Sequence, residues 1–263
     1  MDDARTHVAV DAQTEQALAE YLLQLADDEL AVGQRYAEWL GLAPDLEEDV
    51  AFSSISQDEL AHSLFYYTLL ENLGVGCADE LAYARPANER RNSVLLEQPS
   101  KDWAYTIARG FCFDVLEQIR LAAALRSTYL PLAQGAQKIQ REERYHLLHM
   151  QTWFERLGMA GGEARQRLNE AVESLWLDLP DLFSLGTAGN ILFKSGVLPL
   201  TEAELRQTWE QQVKPSFAHA GLAWRSLPTR SDKNGRLGQH GAALVELLQT
   251  FAEVYRTNPV AVW

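Results

Sequence analysis

FSSISQDELAHSLFYYTLLENL, residues 52–73, decides the fold. Read in steps of three and four it gives Phe52, Ile55, Glu59, His62, Tyr66, Leu69 and Leu73, the spacing of one α-helix face. That face is apolar except where a carboxylate and, three residues on, an imidazole interrupt it. A second segment, AQKIQREERYHLLHMQTWFERL at 136–157, repeats the pattern with Ala136, Ile139, Glu143, His146, Met150, Trp153 and Leu157. Upstream, Leu18, Leu22, Leu25, Glu29, Val32, Tyr36 and Trp39 form a third stripe. A fourth and less regular one is Ile107, Phe111, Asp114, Gln118, Leu121 and Leu125. Each of the four stripes is broken by a carboxylate.

Strand signals are nearly absent, so the fold class is all-α. Helices are expected near 13–40, 46–73, 102–129 and 133–157, with shorter ones near 163–177, 201–214 and 241–256. Gly41 and Pro44 separate the first two, and Pro44-Asp45 ahead of Leu46-Glu47-Glu48 is a helix start. Gly74, Gly76 and Pro86 open a connection far longer than the ~2–8 residues of a helix hairpin loop. Two short hairpins joined by one long crossover describe a ferritin-like four-helix bundle. The expectation is one domain over 1–263, with the bundle core at about 13–157 and a helical extension at about 160–263. Glu29 to Glu59 spans 30 residues and Asp114 to Glu143 spans 29, so the two halves read as a weak internal repeat in which each hairpin returns to the same level.

The 263 residues are 47% hydrophobic and 10% aromatic, enough to bury a sizeable core. Lys+Arg 23 against Asp+Glu 37 leaves a net charge of −14, the wrong sign for binding nucleic acid through its phosphates. Cys77 and Cys112 form no C-x-x-C pair, which suggests a reducing compartment and offers no thiolate metal site. The opening MDDARTHVAVDAQTEQ lacks the basic and apolar regions of a signal sequence, and no apolar run reaches the ~18 residues of a membrane span. A cytoplasmic protein without a membrane partner is expected.

Four carboxylates buried at one level of a bundle would cost several kcal/mol each without a partner, so a cation is expected among them. One carboxylate from each of two helices plus Glu-x-x-His from each of the other two is the ligand set of di-iron or di-manganese bundles. Residues i and i+3 share a face, so Glu59/His62 and Glu143/His146 can each bring an oxygen and a nitrogen to one metal, with Glu29 and Asp114 completing the set. The alternative is that these side chains pair with one another, with protonated carboxyls or with buried water. Glu117, one turn after Asp114, is the alternative third-helix ligand, or else a solvated residue or one that supports the ligands from behind. His149 falls off the stripe. Arg141, Glu142 and Arg144 read as a solvated face. Asp58 also reads as exposed, although a bond to His62 or His146 is open to it. Trp39, Trp103, Trp153 and Trp176 read as packing, with a redox relay as the alternative. The stretch SDKNGRLGQHG, 231–241, reads as a mobile loop, either a plain linker or a partner contact.

These segments resemble the A/C subunit family of the bacterial phenylacetyl-CoA ring epoxidase over nearly the whole chain. ADDELAVGQRYAEWLGLAPDLEEDVA (26–51), LLEQPSKDWAYTIARGFCFD (95–114), EERYHLLHMQTWFERLG (142–158) and the tail GRLGQHG with terminal Trp263 are similar to the C subunit. The motif QDELAH (57–62) instead resembles the second-helix ligand motif of the A subunit, the iron-holding partner of a C subunit regarded as structural. Carried over by position, Glu29, Glu59, His62, Asp114, Glu143 and His146 all match A-type ligand or active-site positions. Two positions depart: Ile55 stands where the A subunit has a lysine, and Tyr36 where it has a further glutamate. These departures weigh against epoxidation by this chain and leave the metal ligands intact.

The resemblance implies a multicomponent monooxygenase with two iron (or manganese) ions and electrons from NADPH through a separate reductase. One oxygen atom of O2 is added across an aromatic ring held as a coenzyme A thioester, and the other leaves as water. The expected partners are an A-like catalytic subunit in a hetero-oligomer, the reductase and an aromatic acyl-CoA. Three functions follow, in order: a C-like structural subunit that keeps the di-iron ligand set, a catalytic di-iron monooxygenase subunit, and a ferritin-like protein handling iron or peroxide.

Overall fold

The computed structural model describes residues 11–258. The opening MDDARTHVAV and the terminal Trp263 lie outside them. The first long helix, α1 (Ala12–Ala37), is capped by Asp11, whose Oδ1 accepts from the backbone N–H groups of Gln13 and Thr14 at 3.0 Å each. In α2 (Leu46–Asn72), Asp45 caps the Glu48 N–H at 2.9 Å, and Glu47, Glu48 and Asp49 place negative charge at the positive end of the helix dipole. The crossover that follows carries the short helices α3 (Ala78–Tyr83) and α4 (Val94–Glu97). The two hairpin partners of the second half are α5 (Trp103–Ala124), capped by Asp102, and α6 (Leu130–Ala160), with Pro131 in its first turn and Gly161 at its end.

Helix α1 packs along α2 and α5 along α6, and α2 meets α6 across the bundle. The stripes face inward as their period requires: Leu18, Leu22, Leu25, Phe52, Ile55, Tyr66, Ile107, Phe111, Ala136, Ile139 and Met150 are all buried. At mid-bundle α1 and α2 approach closely through Gly33, where a Cβ would lie 3.0 Å from the Cβ of Glu59 and where Ser56 Oγ donates to the Gly33 carbonyl at 2.9 Å. Beyond the four long helices, α7 (Gly162–Leu175) and α9 (Glu202–His219) pack on α5 and α6, while α8 (Gly189–Ser195) and α10 (Ala242–Phe251) lie on α1. A last short helix, α11, covers Glu253–Thr257. No strand occurs among the described residues, and the architecture is an all-α ferritin-like bundle with additional C-terminal helices.

Several boundaries differ from expectation for local reasons. Helix α5 ends at Ala124 because the Ser127 hydroxyl accepts from Tyr129 N–H and Thr128 N–H donates to the Gly196 carbonyl, which draws the backbone out of the helix. Helix α9 runs through Pro215 instead of stopping before it. The hydrogen bond forfeited there is outweighed by burial of Ser216 and Phe217, the latter packed on Phe154 at 5.2 Å. The expected helix 241–256 is broken at Ala252. The stretch 231–241 is tied down: Gly235 and Arg236 are buried, and His240 Nδ1 lies 2.6 Å from Glu97 Oε2.

Candidate metal centre

Asp27, Asp28 and Glu29 are three consecutive acids on α1, and all three are buried. The first two meet different sets of cations and donors. Asp27 binds Arg85 and Arg90 of the crossover and accepts from Tyr67 and from the Arg91 N–H at 2.8 Å. Burial acts to raise its carboxyl, but Arg85 and Arg90 outweigh that and hold it below the usual range. Asp28 takes a two-pronged ion pair from Arg236, with Nη1–Oδ1 at 2.7 Å and Nη2–Oδ2 at 2.8 Å. It also accepts from Arg120 at 2.9 Å and from Ser93 N–H at 2.7 Å. Glu29 has no such partner; both of its oxygens are buried without a hydrogen bond.

Glu29 faces the bundle axis, where donor atoms of Glu29, Glu59, His62 and Glu143 all lie within 4.8 Å of one another. His146 adjoins this group, with Nδ1 at 3.0 Å from Glu143 Oε1 and 3.5 Å from Glu59 Oε1. His62 mirrors it, with Nδ1 at 3.3 Å from Glu143 Oε1 and 3.6 Å from Glu59 Oε2. The two imidazole centroids are 6.2 Å apart. Asp114 lies outside the group of four; it is fully buried, and neither of its oxygens makes a hydrogen bond.

The outward nitrogens of both histidines are held by carboxylates. His62 Nε2 is 2.9 Å from Glu142 Oε2, and His146 Nε2 is 3.2 Å from Asp58 Oδ2. Each carboxylate thus holds the histidine of the opposite helix and directs its Nδ1 at the cluster. Glu142, expected on a solvated face, is only one third exposed and turns an oxygen to His62 of α2. Asp58 makes the contact left open to it.

Glu117 is neither solvated nor in the cluster. It is buried against Arg120, one turn along α5, and so joins the Asp28–Arg236 ion network. His149 pairs instead with Glu48 at 3.0 Å near the start of α2. The tryptophans pack: Trp103 lies between Trp39 and Trp153 at centroid distances of 5.1 and 5.5 Å, while Trp176 packs on Trp224 at 5.5 Å. Helical period alone could not reveal Arg236 or Arg120, whose partner Asp28 lies 208 and 92 residues away in sequence.

The electrostatics of the cluster describe a cage for cations. Burial, and then the charges of Glu59 and Glu143, push the Glu29 carboxyl well above its usual range. Burial with Glu143 and Glu59 does the same to Asp114. Burial alone would lower His62, but the close approach and charge of Glu143 and Glu59, at 3.3 and 3.6 Å, raise it to about 10. Burial opposes Glu59 as well, and contacts from Glu29, His146 and His62 overcome it and hold that carboxyl low. Protons therefore compensate the charge where no metal is bound. Both oxygens of Glu29, Glu59 and Asp114, one oxygen of Glu143 and the Nδ1 of His62 make no hydrogen bond, an expensive arrangement for polar groups that lack a partner. With neutral imidazoles, four carboxylates carry four negative charges, which two divalent cations cancel. The donor set of oxygen and imidazole nitrogen suits first-row metals such as iron or manganese. The residues fit the group.

The sequence pattern of the family described as "Phenylacetic acid catabolic protein" matches residues 1–263. The chain is 31% identical over 249 residues to the C subunit of 1,2-phenylacetyl-CoA epoxidase from Escherichia coli (strain K12), a match that covers 94% of this chain and 99% of that protein. It is 28% identical over 193 residues to the A subunit of the same organism's 1,2-phenylacetyl-CoA epoxidase, covering 70% of this chain and 60% of that protein. The chain belongs to the Phenylacetic acid catabolic protein family.

Proposed function

We propose that this protein is one component of a multicomponent phenylacetyl-CoA epoxidase, related to the C subunit in overall sequence, and that it keeps a di-iron carboxylate site. What carries the reading is the coincidence of end-to-end similarity to a C subunit with a buried Glu/His cluster most of whose carboxylate oxygens make no hydrogen bond. Its role is to pair with an A-like catalytic chain in a hetero-oligomer. No helix among the described residues is long and apolar enough to cross a membrane, which accords with a cytoplasmic complex.

In this reading Glu59 and Glu143 would be shared by the two metal ions, His62 and His146 would each serve one, and Glu29 and Asp114 would complete the set. Bound iron supplies the capacity to reduce O2, with electrons from NADPH delivered by a separate reductase. The protein orients the ligands through Glu142 and Asp58, and Phe52, Tyr66, Phe111, Ile139 and Met150 keep bulk water out.

The intact cluster also favours a second reading, in which this chain is itself catalytic toward an aromatic acyl-CoA. Two measurements separate the readings. Co-purification with an A-like chain supports the first, and a stable monomer without affinity for that partner overturns it. Turnover of phenylacetyl-CoA with reductase, lost in Glu59→Ala, supports the second; unchanged turnover in that variant overturns it. Metal analysis of protein from iron-replete cells tests the site itself, and protein free of metal overturns the dinuclear centre in both readings.

A further inference from the structure

Tyr36 lies two turns after Glu29 on the inward face of α1, so its side chain leans back toward the metal ligands. It is fully buried, yet its hydroxyl makes no hydrogen bond. The position of that hydroxyl is fixed by its neighbours. A Cβ added at Gly110 of α5 would lie 2.7 Å from Tyr36 Oη and 2.9 Å from Met150 Sδ of α6. Gly110 precedes Asp114 by one turn and Met150 follows His146 by one turn. The phenol therefore reaches across the bundle and ends on the Asp114 and His146 side of the cluster. A glycine in mid-helix is unfavourable in itself, and here its missing side chain makes the room.

Asp114 is the group on that side in need of a donor. Both its oxygens are buried and unpaired, whereas the outward nitrogens of His146 and His62 are held by Asp58 and Glu142. A carboxylate that gives one oxygen to a metal keeps a second oxygen that must accept a hydrogen bond, and ligating carboxylates are commonly held in this way. Burial, then the charges of Asp114 and Glu59, push the Tyr36 phenol well above its usual range, so it keeps its proton and can donate.

We propose that Tyr36 is a positioning residue whose hydroxyl donates a hydrogen bond to the Asp114 carboxylate when the second metal ion binds, with Gly110 providing the space. The inference rests on the dinuclear reading above. Tyr36→Phe removes the hydroxyl and keeps the ring. Metal-free full-length protein is titrated anaerobically with Fe2+, and the affinities of the first and second equivalents are measured separately. In Tyr36→Phe the first equivalent binds as in the wild type and the second binds about 10–100-fold more weakly, the loss typical of removing a group that orients a metal ligand. The unfolding temperature of the metal-free variant is unchanged or higher, because an unpaired buried hydroxyl has gone. Gly110→Ala, which pushes the hydroxyl aside, gives the same selective loss. Wild-type affinity for both equivalents in Tyr36→Phe, or equal weakening of both, overturns this role alone. Wild-type protein that binds fewer than two equivalents overturns the dinuclear reading and this role with it.

Discussion

Replacing Arg236 by methionine removes a guanidinium whose side chain is 0% exposed, as is that of its partner Asp28. The variant loses both prongs of the pair, at 2.7 and 2.8 Å, and leaves the Arg91 carbonyl without its donor at 2.6 Å. Removing one partner of a buried pair costs roughly 3–5 kcal/mol, because the other charge stays buried and unpaired. Here Asp28 keeps Arg120 and the Ser93 N–H, which places the loss near the lower bound, about 3 kcal/mol. For a chain of this size that corresponds to roughly 6–12 °C in unfolding temperature. The assay is thermal and urea unfolding of the metal-free wild type, Arg236→Met, Asp28→Asn and the double variant. A coupling of about 0.5–3 kcal/mol is expected between the two sites, since they share one bond network. A loss below about 1 kcal/mol in Arg236→Met, or additive effects in the double variant, would show that the C-terminal segment rests on the bundle without holding it.

Four further outcomes follow from the same contacts. Gly158→Ala places a Cβ 2.4 Å from both the Cβ and the carbonyl oxygen of Ala220 where α6 crosses the end of α9, so it should cost about 1–3 kcal/mol by urea unfolding despite the better helix propensity of alanine. Trp209→Phe removes the indole donor to the Cys112 carbonyl at 2.7 Å, which as part of α5 also accepts within the helix, and should lose about 0.5–1.5 kcal/mol; a neutral result would show that the indole bond adds nothing to the packing of the ring. At Glu155, burial acts to raise the carboxyl, but Ser216, Gln151 and His219 outweigh it and hold it below the usual range. Its contribution is therefore complete above the unfolded carboxylate value of about 4.3 and is lost as pH falls through the lowered folded value, so Glu155→Gln should show a shallower loss of stability on acidification than wild type. Glu142→Gln and Asp58→Asn keep the fold and should weaken Fe2+ binding about 10–100-fold through His62 and His146, read by anaerobic titration.

The four stripes and the residues that break them were legible because a 3.6-residue period assigns a side chain to the core from local sequence alone. Glu29, Glu59, His62, Glu143 and His146 come together on that basis, and Asp114 is buried as its stripe requires. The same logic misplaces Glu142 and leaves Glu117 undecided. Both lie at the edges of their stripes, where the facing helix decides whether a position meets water: Glu142 reaches His62 on α2, and Glu117 turns to Arg120. SDKNGRLGQHG reads as mobile because its glycines and polar residues carry no period. Its order comes from Asp28, Glu97 and Asp181, all distant in sequence; Asp181 accepts from Gly235 N–H at 3.1 Å. Pro215 reads as a stop because its missing N–H is visible locally, whereas the packing that carries α9 past it is not.

Asp27, Asp28 and Glu29 give one turn of α1 three addresses: the crossover arm, the C-terminal strap and the bundle axis. Successive residues of a helix point about 100° apart, so the three addresses are also three compass bearings. Any change that rotates α1 by a single position, an inserted or deleted residue upstream within the helix for example, would deliver all three acids to the wrong tenants at once. This triplet works as a key with three teeth, which fixes the rotation of α1 about its own axis.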